Sequence, residues 1–188
     1  MAHELDLKTT EKAKSMRFDS SVVQTHFQSP LGPITLAATH AGLAGLWFEG
    51  QRHLPPELAT ATNWPTDTDQ PILKKTALQL AQYFSGQRFE FDLPLDLSGG
   101  TAFQQTVWQA LLAIPHGQTV SYGNISQHIL NPAAVRAVGA AVGRNPISII
   151  VPCHRVLGAD GSLTGYAGGL DRKIALLRLE GVLAENLL

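Results

Sequence analysis

Cysteine is almost missing from this chain: among 188 residues, only Cys153 carries a thiol. A single cysteine excludes an intramolecular disulfide and any multi-cysteine zinc site. The seven histidines are scattered without ligand spacing, so no metal is expected. Long hydrophobic runs are missing too, none approaching the roughly 18 apolar residues that cross a bilayer, which leaves no helical membrane span. The opening MAHELDLKTTEKAKSMRF mixes acids with bases and has no apolar signal core, so residues 1–20 read as a polar tail. A soluble protein of a reducing compartment, the cytoplasm, is the expectation. With 44% hydrophobic and 15% charged residues the chain has ample material for a core.

Acidic side chains are missing from one long stretch. Residues 1–96 hold eight Lys and Arg against eleven Asp and Glu. From Leu97 to Ala159 there is no acid at all, while Arg136, Arg144 and Arg155 fall within it. The formal net charge of −1 conceals this. An acid-free stretch with spaced arginines suits a surface facing phosphates. A helical core poor in charge of either sign would produce the same count.

What is present divides near residues 94–100. VVQTHF, the turn SPLG, ITLAATH, the turn AG and LAGLWFEG read as a β-meander. RHLPPELATATNWPTDTDQP is proline-rich and polar and reads as a loop; Leu73, Ala77, Leu80, Ala81 and Phe84 then recur at helical spacing. RFEFDLPLDLSGG reads as an edge strand running into a linker. A structural αβ domain over 21–96 is therefore expected, followed by a mostly helical domain over 97–188. In the latter, TAFQQTVWQALLAI carries a stripe of Phe103, Val107, Leu111 and Ile114. TVSYGNISQHI follows, with Thr119 or Ser121 as N-cap, and Asn131 is placed to cap a helix beginning at Pro132. Two short helices joined by a sharp turn make a helix-turn-helix candidate.

The second of these helices, PAAVRAVGAAVGR, has two unlike faces. Val135, Val138 and Val142 form a packing face. Ala133, Arg136, Ala137, Ala140 and Arg144 form a face almost free of bulk apart from its arginines, able to approach a grooved partner closely. Small residues also serve helix–helix contacts; the two arginines favour exposure.

Cys153 ends the apolar run ISIIV, between Pro152 and His154. A lone cysteine after an apolar strand is usually inert core. Here the proline ends the strand at a place where chains surface, and His154 and Arg155 are unusual core residues. GADGSLTGYAGG follows, with glycines that let backbone amides approach a ligand. Its spacing fits neither a dinucleotide fingerprint nor a phosphate loop, so no cofactor is expected. His154 can act as base toward the thiol, and the group orienting it must come from elsewhere.

NPISIIVPCHRVLGADGSLTGYAGGLDRKIALLRLEG resembles the active-site region of the methylated-DNA–protein-cysteine methyltransferases, the 6-O-alkylguanine repair proteins. TVSYGNIS, VRAVGAAV, NPI, GYAGG and LLRLEG follow in that family's order and spacing, and SPLGPITLAA, GLAGLWFEGQRH and TAFQQTVWQAL resemble its upstream landmarks. The likeness covers roughly residues 22–183. It implies an α+β protein: a small ribonuclease H-like N-terminal domain, then a helix-turn-helix, winged-helix-like active-site domain.

The resemblance also implies roles. Cys153 matches the alkyl acceptor, His154 the residue that takes its proton through a water, and Glu180 the carboxylate that orients the imidazole. Asn145 matches the asparagine between recognition helix and active-site strand. Tyr122 matches the tyrosine whose hydroxyl faces the flipped base. Arg136 matches the arginine entering the duplex in its place, on a minor-groove surface made by Ala133, Ala137 and Ala140. Tyr166, Ala167, Val156 and Arg155 are placed around the base pocket. The implied partner is double-stranded DNA containing alkylated bases, met by a monomer with no membrane role. The implied reaction is a single irreversible transfer from 6-O-alkylguanine, and from 4-O-alkylthymine, to Cys153.

A cysteine hydrolase would use the same Cys153 and His154 but has no use for a helix-turn-helix. The alkyltransferase-like damage binders replace the acceptor cysteine, and a plain transcription regulator has no need of PCHR. Two departures from the family pattern stand out. QHILNP lacks a glycine before the recognition helix, from which a wider or differently hydrogen-bonded turn is expected. Ala167 offers no hydroxyl, so any hydrogen bond there comes from backbone.

Overall fold

The N-terminal alternation folds as an antiparallel meander. β1 (Val23–Ser29), β2 (Gly32–Ala38) and β3 (Leu43–Phe48) pair in that order, with Phe27 opposite Ile34 and Leu36 opposite Leu46. The computed structural model describes residues 16–58 and 64–184. β3 is buried along its whole length because the sheet is covered on both faces. On one face Ile34, Leu36, Leu46 and Phe48 join the main core. On the other, Trp47 packs with Ala37 and Trp64. Gly45 makes this possible: a Cβ there would lie 1.8 Å from the Trp47 ring. Of the expected polar tail, residues 1–15 lie outside the described residues. Its end is no tail, because Phe18 packs edge-on against Trp47 and Trp64.

Helix α1 (Pro71–Phe84) forms where expected, with Pro71 at its start and the Gln70 side chain accepting from Leu73 N–H. Its buried stripe is rotated from the expected one. Ala81 is exposed, while Leu73, Thr76, Gln79, Leu80 and Tyr83 face inward. RFEFDLPLDLSGG does not form the expected strand. It joins the sheet through one parallel bridge, Leu43 to Leu95, beside Pro94, which withholds an N–H donor.

The second half is helical: α2 (Ala102–Leu112), α3 (Tyr122–His128), α4 (Val135–Gly143) and α5 (Leu170–Leu179), with a two-residue parallel pair of β4 (Val120–Ser121) and β5 (Val156–Leu157). Thr101 and Ser121 each close a capping box, on Gln104 and Asn124. Asn131 makes no side-chain cap; Pro132–Ala134 form a 3-10 turn, and α4 starts only at Val135. Val135 is 41% exposed, so the packing face of α4 is Val138, Ala141 and Val142. In the turn before it Leu130 adopts φ +57°, the conformation a glycine would take, with its side chain 91% exposed, and Asn131 N–H donates to the Ser126 carbonyl.

ISIIV is not a strand either. Ile147 bridges to Leu46, after which Ile149 adopts φ +71° and the chain turns tightly into a 3-10 turn at Cys153–Arg155. A β-branched residue at positive φ is strained. Here Ile149 and its neighbours Ile147 and Val151 are buried in the core. That turn sets the thiol inside, not at the surface.

Candidate active site

Cys153 is 3% exposed. Burial pushes its thiol up to about 11, against a lowering by the Asn145 hydrogen bond and the Lys173 charge. The resting thiol is protonated. Asn145 Nδ2 donates to Cys153 Sγ at 3.0 Å and to Val151 C=O at 2.7 Å, and its Oδ1 accepts from Ile147 N–H at 3.0 Å. One amide thus folds the turn and offers the sulfur a donor.

His154 is fully buried, and its Nε2 lies 2.8 Å from Glu180 Oε1. Burial lowers its pKa more than Glu180 restores it, so the ring is neutral. With Nε2–H facing the carboxylate, Nδ1 is left as the acceptor. Nδ1 is buried and without a hydrogen-bond partner among the described residues. Burial alone would raise Glu180; hydrogen bonds from His154 and Arg155 outweigh it and hold the carboxyl well below the usual range. Glu180 caps the C-terminus of α5, where the helix dipole disfavours an acid. The compensation is Arg155, whose Nε reaches Oε2 at 2.8 Å and Nη2 reaches Oε1 at 2.9 Å.

This corrects two expectations for the base pocket. Arg155 does not line one: its guanidinium is consumed by Glu180 and the Ile114 carbonyl. The Val156 side chain is core, paired with Val120 in β4, and its carbonyl accepts from Lys173 Nζ. Tyr122, Tyr166 and Ala167, by contrast, border one hollow of about 100 Å³ together with Gly165 and Gly139. Tyr122 Oη donates to the Gly165 carbonyl at 3.4 Å. Burial, and then the neighbouring Cys153, raise its pKa, so the hydroxyl holds its proton. Gly165, at φ +62°, is required here, since a Cβ would sit 2.9 Å from Tyr122 Oη. Ala133, in the turn before α4, and Arg136, Ala137 and Ala140, on α4, are all exposed. They stand together as a bare face outside the hollow.

Two side chains of the site escape a reading of the sequence. Tyr83, on α1, donates from Oη to Glu180 Oε1 at 2.7 Å. Lys173 is fully buried, its Nζ donating to the Val156 carbonyl and, at 2.8 Å, to the Thr164 carbonyl. Burial lowers it to about 8. A signal for Lys173 was available: it falls on the buried stripe shared with Leu176, Leu177 and Glu180. Tyr83 gave none, being indistinguishable from a core aromatic.

The fold and site define a helix-turn-helix protein with a buried thiol, and a neutral imidazole and carboxylate behind it. Residues 22–97 match the family model of the 6-O-methylguanine DNA methyltransferase ribonuclease-like domain, and residues 102–182 that of the 6-O-methylguanine DNA methyltransferase DNA binding domain. The chain belongs to the 6-O-methylguanine DNA methyltransferase family. It is 52% identical to a methylated-DNA–protein-cysteine methyltransferase of Mycobacterium tuberculosis, over 81% of this chain and 88% of the relative. With the one of Methanosarcina acetivorans the identity is 47%, over 82% and 96%. The fold superposes on the crystal structure of the M. tuberculosis O6-methylguanine methyltransferase with a TM-score of 0.75 and 48% identity, covering 88% of this chain and 96% of that one. On the M. tuberculosis protein solved in complex with DNA the TM-score is 0.72, with 49% identity over 85% and 91%.

Proposed function

We propose that this protein repairs double-stranded DNA by moving the alkyl group of 6-O-alkylguanine, and of 4-O-alkylthymine, onto Cys153, once per molecule and irreversibly. The bare face of α4 enters the minor groove, where bulky side chains do not fit. The damaged nucleotide is flipped out, because its reacting carbon is inaccessible in the stack. Arg136 takes the space it leaves, and Tyr166 and the backbone at Ala167 border the extruded base.

The thiol proton leaves Cys153 through a bridging water to His154 Nδ1, and Glu180 steadies the imidazolium that forms. Asn145 stabilises the charge that grows on sulfur. Sulfur then attacks the alkyl carbon, an S–C bond forms and the C–O bond to the base breaks. Tyr122 supplies the proton that the restored base requires, and the one taken by His154 replaces it, so protons balance. The product thioether has no hydrolysable bond, and the sequence holds no second thiol to take the alkyl group on. The protein acts as a monomer, in the cytoplasm, without cofactor.

One observation carries the reading: Cys153, hydrogen-bonded by Asn145 and backed by His154 and Glu180, lies next to a helix-turn-helix whose exposed face is bare. The test mixes the protein with a duplex holding one 6-O-methylguanine and maps the products by mass. The expected result is a single methyl on the Cys153 peptide, stoichiometric with repair. Lesion loss with Cys153 unmodified, or continued turnover, would overturn it.

A further inference from the structure

The hollow beneath the helix-turn-helix has a wall that belongs to neither the recognition helix nor the active-site loop. Arg52 and His53, from the loop after β3, line it together with Tyr122 and Tyr166. The loop is fixed there by Arg52 N–H, which donates to the Ala167 carbonyl at 3.0 Å. His53 is held at φ +60°, a left-handed conformation disfavoured for a residue with a Cβ. Strain of this kind persists where the surroundings impose it, and it gathers at binding sites. Both side chains are exposed.

The Arg52 guanidinium has no ion-pair partner among the described residues. Arg144 caps the C-terminus of α4; partial desolvation lowers the His53 pKa, and the charges of Arg144 and Arg52 lower it further. His53 is therefore neutral and offers hydrogen bonds. Arg144 follows Arg136 by eight residues along α4, roughly 12 Å of helix. A duplex lying on that helix would pass Arg136 first and the Arg52 rim next.

We propose that Arg52, with His53 and Arg144, forms a phosphate-binding rim through which the N-terminal domain grips the DNA strand beside the extruded nucleotide. This rests on the function proposed above and gives the N-terminal domain a part in substrate binding. Two unpaired guanidiniums beside a neutral imidazole match a phosphodiester, which accepts from all three. The contact positions the strand and reads no sequence.

The test compares the parent protein with Arg52→Gln and Arg52→Lys. Methyl transfer to Cys153 is timed from a duplex carrying 6-O-methylguanine and from the free 6-O-methylguanine base, across a salt series. For Arg52→Gln the ratio of duplex to free-base rate constants should fall about tenfold, and the slope of log rate against log salt should flatten by about 0.9, one phosphate contact. Arg52→Lys should restore the slope. An unchanged slope in Arg52→Gln overturns the rim, as does an equal loss on both substrates, which would mean that the loop only shapes the hollow. If the parent protein gains no methyl from the duplex, it is the repair reading that fails.

Discussion

Tyr83 Oη and His154 Nε2 meet on the same oxygen, Glu180 Oε1, at 2.7 and 2.8 Å. Tyr83 stands 97 positions before Glu180, on the helix of the N-terminal domain. The carboxylate that orients the imidazole is therefore itself oriented from the other domain. Tyr83→Phe keeps the ring and removes one hydrogen bond to a charged group, worth about 1.5–3 kcal/mol. Urea unfolding should show a loss in that range, with slower methylation of Cys153. Full stability would mean that the bond contributes nothing.

Glu180 makes stability depend on acid. Its folded pKa is depressed below the ordinary 4.5, so its contribution is present above that pH and is lost as pH falls through the folded value. Unfolding free energy should drop steadily below about pH 4.5. Glu180→Gln should lower stability at neutral pH by about 3–5 kcal/mol, because Arg155 loses its buried counter-charge. The variant should also flatten the acid limb, which denaturant titrations at several pH values would show.

A thiol near 11 reacts slowly at rest. Between pH 7 and 9, capping of Cys153 by a small neutral electrophile should accelerate about tenfold per pH unit, following the thiolate fraction. Asn145→Ala removes the donor to Sγ, raises the thiol further and should lower the rate at every pH in that window. A plateau near neutrality would show that the thiolate already exists at rest.

Arg136 is exposed on the bare face of α4 and makes no ion pair among the described residues. Arg136→Ala should slow methyl transfer from duplex DNA well beyond any effect on the free base, since only the duplex leaves a gap to fill. Equal losses in stopped-flow measurements on both would remove it from that role.

Leu130 occupies a left-handed position with its side chain in solvent. Leu130→Gly relieves about 1–2 kcal/mol of backbone strain, offset by about 0.5–1 kcal/mol of unfolded-state entropy. A rise in midpoint denaturant concentration is expected; a fall would mean that the leucine makes a contact worth more than the strain.

The meander, α1, the helices of the second half with the Ser121 cap, and the Cys153–His154 pair are legible because each is a local pattern: alternation, helical spacing, a capping residue, adjacent reactive groups. The errors have a common source. ISIIV looks like a strand because its apolar side chains are the same whether a sheet or a buried turn takes them. Arg155 looks like a pocket residue because its partner, Glu180, is 25 positions away. Helical spacing puts Ala81 on the buried face of α1 and passes over Tyr83, yet Ala81 is exposed and Tyr83 faces inward.

The chain alone determined which chemistry is possible: one thiol, a base beside it, and a region without acids in which arginines meet no local competition. Tertiary structure decided the electrical state of those groups. Whether a thiol is protonated, an imidazole neutral or a carboxylate charged depends on how far each is removed from water and on donors that arrive from distant segments, and neither quantity exists until the chain has folded.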